Sequence, residues 1–256
     1  MHIITLLTDW QNDDYYKAVV KASVLSKIPD IQFVDISHQV NTFHISQAVF
    51  LLKSSINQFP EGSIHFFGIQ TVSSNNSPII VAQVNKQYIV ANDNGIFDAL
   101  DIKFDRMVKI EVPISNFPVA EHFVPIAIKI IEGEELTNIG TEITSSLEYP
   151  TIKPTLEDDK IIIPITYIDS YGNLILNIQK DFFEKECQNR RFDIFINSFK
   201  FKTSTIHQHY NEVPKSEIFA IFNSAGWLEI GMRMANISQI LNLNGQSNII
   251  IKFYND

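Results

Sequence analysis

The sequence predicts an α/β protein: an amino-terminal βαβ domain with a mainly parallel sheet, joined to a carboxyl-terminal small β-barrel domain. Three observations lead there. Strand-like and helix-like segments alternate through the first 150 residues, the pattern of βαβ units around a parallel sheet. Beyond Tyr149-Pro150-Thr151-Ile152-Lys153-Pro154-Thr155, short β-rich pieces with polar turns take over, as in a barrel or sandwich. The first apolar run delivers a lone carboxylate, Asp9, followed by Trp10, to what would be the carboxyl edge of the sheet. Ligands of open α/β folds bind at that edge.

The elements follow in order. Residues 3–7 read as a strand, and residues 15–28 carry Val19, Val20 and Val24 at helical spacing until Pro29 stops them. Residues 31–36 give a second strand. Ile45, Ala48, Val49, Leu52 and Ile56 then form one apolar helix face. A third strand is expected at residues 63–67, a hairpin from residues 78–84 and 87–90, and a helix at residues 123–132. Two prolines and Glu157-Asp158-Asp159 read as a linker, which gives domains 1–155 and 156–256. In the second domain the β-rich pieces are residues 161–168, 174–178, 192–201, 218–222, 227–232 and 249–254.

Composition bounds the function. The chain has 256 residues, 45% hydrophobic and 19% charged, enough for a sizeable core. A net charge of −9 without a Lys/Arg-rich stripe argues against nucleic acid, whose phosphates need clustered cations. The single cysteine, Cys187, falls on a charged helical pattern; it excludes an internal disulfide and a cysteine-rich metal site. No apolar stretch reaches the roughly 18 residues of a membrane span, and the amino terminus enters a strand pattern without a signal peptide. A soluble cytoplasmic protein with no membrane partner is expected.

Four polar clusters interrupt apolar strands. The first, Asp9 to Asp14, can grip a vicinal diol through two carboxylate oxygens, or can cap the helix that follows. The second, Asn92-Asp93-Asn94-Gly95, is also an ordinary Asn-Gly turn. Asp169-Ser170-Tyr171-Gly172-Asn173 and Asn223-Ser224-Ala225-Gly226-Trp227-Leu228-Glu229-Ile230 are plausible hairpin turns. Their order is more specific than any one of them. Together with Leu7-Thr8-Asp9-Trp10, Asp14, Tyr16, Val34-Asp35-Ile36-Ser37-His38 and Phe59-Pro60-Glu61-Gly62-Ser63-Ile64-His65, they make the chain resemble the S-adenosylmethionine hydroxide adenosyltransferases. The fluorinating and chlorinating enzymes are relatives of that family.

The resemblance implies a homotrimer whose sites lie between the first domain of one subunit and the second domain of its neighbour. It implies S-adenosylmethionine as a small-molecule substrate, with no further cofactor and no metal. Asp9 would hold both ribose hydroxyls, with Phe43 packing near the ribose or adenine, and Trp10, a conservative aromatic change, and Asn94 belong to the same ligand-binding set. Asn173 would bond the adenine edge, Tyr171 would supply an aromatic wall and Met234 a backbone contact. Asp14, Asp169 and Ser224 would take the methionine ammonium.

The chain departs from the family where water is handled. Gln70 stands at an Asp position, Ser77 at or near an Arg, and Pro118 at a His. Glutamine can orient a water but cannot take its proton. The halogenating pattern is not matched either, since Val119 replaces a small hydroxylic residue. Gln11 replaces a glycine after the acid–aromatic pair, so the turn there is expected to differ. Gln70, Ser73 and His122 are the replacement candidates for organising the nucleophile, with His122 equally readable as a surface histidine at a helix start. His207 and His209 lack a third metal ligand. Three readings follow. Hydrolysis to adenosine and methionine is favoured by the joint retention of the ligand-holding positions. The alternatives are a pseudoenzyme that only binds, and adenosyl transfer to another nucleophile such as halide.

Overall fold

A computed structural model describes residues 2–11, 14–71, 78–150 and 153–255. The chain forms two compact units, Met1–Thr151 and Ile152–Asp256. Unit 1 runs β1 (Ile3–Thr8), α1 (Tyr16–Leu25), β2 (Gln32–Ser37), α2 (Ile45–Ser55) with a 3-10 turn, β3 (Ile64–Gly68), β4 (Ile79–Val84) and β5 (Gln87–Asn92). It continues with α3 (Ile96–Ala99), β6 (Arg106–Ile110), a π-helical turn (Val119–Phe123), α4 (Val124–Ile131), α5 (Leu136–Ile139) and β7 (Thr141–Glu142). The sheet order is β2-β1-β3-β5-β4-β6-β7. The first four strands in that order are parallel, and β4, β6 and β7 are antiparallel.

Both faces of this sheet are covered, which is why its strands read as nearly continuous apolar runs. Ile4, Leu6, Ile64 and Phe66 point to one core with Val20, Val24 and Phe123. Leu7, Phe67 and Ile69 point to the other with Val49, Leu52 and Phe97. Each such buried side chain contributes about 1.5–3 kcal/mol relative to exposure. One polar chain crosses the interior and is satisfied throughout. His65 meets Thr5 Oγ1 through Nδ1 and Gln87 Oε1 through Nε2, both at 2.8 Å, and Gln87 Nε2 donates to the Phe59 carbonyl. The predicted hairpin is present as β4 and β5, which turn on Asn85 and Lys86, both at positive φ. Tyr15, not an aspartate, occupies the cap of α1 and makes no side-chain bond there.

Unit 2 is antiparallel and nearly closes into a barrel. Its elements are β8 (Thr155–Glu157), β9 (Lys160–Ile168), β10 (Leu174–Gln179), α6 (Lys180–Cys187), β11 (Arg191–Ile196) and β12 (Ser198–Thr203). β13 (Ile218–Phe222), β14 (Trp227–Met232), α7 (Ile237–Ile240) and β15 (Asn248–Tyr254) complete it. The order is β12-β11-β15-β9-β10-β14-β13, with β8 on β9. His207, just past β12, bridges to Ile221 of β13, its N–H donating to the Ala220 carbonyl at 2.7 Å. Alternate residues fill the interior: Ile161, Ile163 and Ile165 of β9, Leu174, Leu176 and Ile178 of β10, Ile249, Ile251 and Phe253 of β15.

Two expectations are corrected here. The acidic stretch read as a linker is the turn of a hairpin, because Thr155 pairs with Ile162 and Glu157 with Lys160. Its charges face water at a turn, and Lys160 lies 3.0 Å from Glu157. The single β-rich piece at residues 192–201 is two strands, reversed at Asn197, which adopts φ +59. Asparagine tolerates that left-handed conformation better than most residues.

Candidate active site

In unit 1 the register aligns Thr8 with Gly68, Leu7 with Ser37, and Phe67 with Ala91. The segments that follow, Asp9-Trp10, His38, Ile69-Gln70 and Asp93-Asn94, therefore share the carboxyl edge of the parallel strands. Asp9 is half-buried, and its Oδ2 accepts the Phe43 backbone N–H at 3.0 Å. Phe43 is bent to φ +65 and leaves its ring 59% exposed. A carboxylate and the backbone of a residue with an exposed aromatic ring are thus tied together at the strand end.

Thr8 and His38 brace this corner. Thr8 Oγ1 is 2.7 Å from His38 Nδ1, and His38 Nε2 is 3.3 Å from Asp35 Oδ1. Burial lowers the His38 pKa against the opposing pull of Asp35. Burial would raise Asp35, but the Lys21 ammonium at 2.7 Å outweighs it and lowers the carboxyl. Trp10 stacks on His38, with centroids 6.3 Å apart and planes at 11°, and meets Phe117 edge-on at 5.6 Å. A β-carbon on Gly68 would lie 3.0 Å from Thr8, 3.3 Å from Val119 and 3.5 Å from Trp10. Glycine at the end of β3 therefore lets this corner close.

Gln11 adopts φ +64, the left-handed conformation that glycine favours. Its N–H donates to the His38 carbonyl at 2.7 Å and its Nε2 to the Val40 carbonyl at 3.2 Å. Glutamine accordingly holds a left-handed turn, with two hydrogen bonds set against the strain.

The described water-handling candidates lie on the loop after β3 and on the π-helical turn. Gln70 is exposed at φ +49, and the Ile69 carbonyl before it accepts Asn94 Nδ2 at 2.9 Å. Asn94 also receives the Ile96 N–H, at 3.4 Å, so its amide braces the loops after β3 and β5. His122 lies on the π-helical turn with Nε2 3.0 Å from the Pro113 carbonyl. Asp14 is exposed ahead of α1. Ser73 and Ser77 lie outside the described residues.

Unit 2 carries a separate cavity of 680 Å³, lined by Asp169, Tyr171, Asn173, Tyr210, Phe219 and Met234 among others. The turn between β9 and β10 builds its polar wall. Asp169 Oδ1 accepts the N–H groups of Tyr171 and Asn173 at 2.9 and 2.8 Å. Asn173 Nδ2 donates to Asp169 Oδ2 at 3.2 Å and to Glu229 Oε1 at 3.0 Å. Tyr171 and Met234 are both 77% exposed, available to a ligand's faces. Ser224 is exposed at the tip of the β13–β14 hairpin, where its neighbour Asn223 donates through Nδ2 to Glu229 Oε2 at 3.2 Å. Burial raises the Glu229 pKa, opposed by the Asn223, Tyr210 and Asn173 donors. Burial and the adjacent Glu229 push Tyr210 up to about 12, so the phenol keeps its proton and donates. Sequence reasoning gave Glu229, Tyr210 and Asn223 no role. A lone carboxylate inside the apolar run Trp227-Leu228-Glu229-Ile230 is the signal that marks Asp9.

Residues 4–140 match the SAM hydroxide adenosyltransferase N-terminal domain, and residues 163–250 match its C-terminal domain. The chain belongs to this family. It is 27% identical, over 95% of its length and 93% of the relative's, to a protein of Methanocaldococcus jannaschii named (R)-S-adenosyl-L-methionine hydrolase. An uncharacterized conserved protein from Thermotoga maritima shares the fold with a TM-score of 0.86 and 25% identity, covering 98% of this chain and 100% of that one. A conserved hypothetical protein from Thermus thermophilus matches at a TM-score of 0.76 and 21% identity, over 99% and 100% of the two chains. Among the described residues, no three His, Cys, Asp or Glu side chains gather as a metal-binding group, and no helix is long and apolar enough to cross a membrane.

Proposed function

We propose that the protein hydrolyses S-adenosylmethionine to adenosine and methionine. A water oxygen bonds to the 5′ carbon of the ribose, the carbon–sulfur bond breaks, methionine leaves neutral, and one proton passes to solvent. The sulfonium already activates the carbon, so the protein's contribution is position and partial exclusion of water. The observation that carries this reading is Asp9, a half-buried carboxylate at the lip of β1 held by the Phe43 backbone N–H. Its oxygens suit the two ribose hydroxyls. Trp10 and Asn94 shape that corner, while the Asp169, Tyr171, Asn173 and Met234 cavity takes the adenine. Asp14, Asp169 and Ser224 receive the methionine ammonium. Gln70, Ser73 and His122 organise the water.

A second reading, a binding protein without turnover, is favoured by one feature. Gln70 and Pro118 replace groups that handle a proton, and His122 Nε2 is already engaged with the Pro113 carbonyl. Incubation with S-adenosylmethionine in ¹⁸O-water, followed by chromatography and mass analysis, separates the readings. Hydrolysis yields adenosine labelled at the 5′ oxygen; a 5′-halogenated nucleoside in the presence of chloride or fluoride would instead indicate transfer to halide. Binding by calorimetry with no product supports the second reading.

We place the active assembly as a homotrimer in the cytoplasm, each site completed by a neighbouring subunit. The resemblance carried by the ordered polar clusters supports the trimer, and a lone buried cysteine, Cys187, suits a reducing compartment. Light scattering coupled to size exclusion, and cell fractionation, test these two statements.

A further inference from the structure

The side-chain amide of Asn173 has a forced orientation. Its nitrogen lies 3.2 Å from Asp169 Oδ2 and 3.0 Å from Glu229 Oε1. An ionised carboxylate only accepts hydrogen bonds, and a primary amide nitrogen has two hydrogens, so these contacts consume both. A flipped amide would set its carbonyl oxygen against two carboxylate oxygens. What the side chain retains for a ligand is Oδ1, an acceptor. That oxygen stands over Gly231, where a β-carbon would come within 2.2 Å of it. Glu229 is itself only 4% exposed and is fixed by Asn223 Nδ2 and the Tyr210 hydroxyl. Such a fully bonded group holds its neighbours in one arrangement.

We infer that Glu229 is a positioning residue that sets base specificity: by pinning the Asn173 amide, it makes the cavity select a purine with an exocyclic amino group and reject one with an exocyclic oxygen. This rests on the reading that the cavity takes the nucleoside base. An amino N–H donates to Oδ1, whereas a carbonyl oxygen in the same place meets another oxygen with no proton between them. Sites built around a specific hydrogen bond discriminate more strongly than apolar ones do.

The test is calorimetric titration of the full-length protein with adenosine and with inosine, for the wild type and two variants checked for folding by thermal melting. The wild type should bind adenosine at least about tenfold more tightly. Glu229→Leu removes the acceptor and frees one amide hydrogen of Asn173, so the preference should fall to within about threefold, with inosine affinity rising in absolute terms. Damage to the fold alone would not raise it. Glu229→Gln keeps a carbonyl oxygen for Asn173 and should keep most of the preference. Equal binding of the two nucleosides by the wild type overturns the inference whatever the variants do. So does a folded Leu variant with unchanged preference, or a folded Gln variant that loses preference as fully as the Leu variant. A wild type that binds neither nucleoside, nor S-adenosylmethionine, overturns the reading of the cavity and this inference together, an outcome distinct from the others.

Discussion

Asp9 Oδ2 accepts the backbone N–H of Phe43 at 3.0 Å, across a separation of 34 residues in sequence. The bond ties the end of β1 to the loop after β2, whose Phe43 carries an exposed ring. Asp9→Ala should weaken adenosine binding by about 2 kcal/mol, the loss of charge-assisted bonds to the sugar, or about thirtyfold in Kd. Calorimetry checks it, with 2′-deoxyadenosine as the control: the variant should no longer distinguish the two nucleosides.

His65 gives a pH prediction with a definite sign. Burial lowers its pKa to about 4 against the ordinary 6.5. Between these values the unfolded chain binds a proton that the folded chain does not. The contribution, about 3 kcal/mol, is therefore fully present above pH 6.5 and is lost as pH falls toward 4. Urea midpoints should drop over that window, and His65→Asn should flatten the slope there while lowering stability at pH 7.

Gly231→Ala should cost about 1–3 kcal/mol, because the new β-carbon would meet Asn173 Oδ1 and Phe219 Cζ, both at 2.2 Å. It should also reduce nucleoside binding, since the amide it displaces faces the cavity. A melting curve and one titration decide this. Unchanged binding in the folded variant would show that Asn173 contributes nothing to recognition.

Gln11 separates strain from hydrogen bonding. Gln11→Gly should relieve about 1 kcal/mol of left-handed strain and forfeit a bond to Val40 of similar size, a net change near zero. Gln11→Val forfeits the same bond and suffers more from φ +64, so it should destabilise by about 2 kcal/mol or more. Equal stabilities for the two variants in urea would contradict the strain argument.

If the water is organised as proposed, Gln70→Ala and His122→Ala should each lower turnover severalfold while leaving adenosine affinity within about twofold. Neither side chain belongs to the nucleoside-holding set. Product formation measured beside calorimetry shows the split.

Much of this architecture was legible because burial on two faces writes itself into sequence. Ile3 to Leu7 and Ile64 to Phe67 are unbroken except where Thr5 and His65 satisfy each other, and α2 shows its apolar face at Ala48, Val49 and Leu52. β6 was missed because Arg106-Met107-Val108-Lys109-Ile110 mixes charge with apolar residues near the rim of the sheet. β8 was hidden by its exposed residues, Thr155, Leu156 and Glu157, which resemble a linker when their pairing is unseen. At the site, Asp9, Asp169 and Asn173 stood out as polar residues at the ends of apolar runs. Glu229 has the same signature in mid-strand, but only three-dimensional packing reveals the two amides and the phenol that keep a buried carboxylate there.

The seam at His207 and Ile221 ties the chain just past β12 to β13, the two ends of the strand order in the carboxyl-terminal unit, by one bridge. Such a seam shortens the open edge that could template a neighbour's backbone, which works against edge-to-edge aggregation. The amino-terminal sheet is protected by different means at its two margins: β7 is only two residues long, and β2 carries Asp35 paired with Lys21.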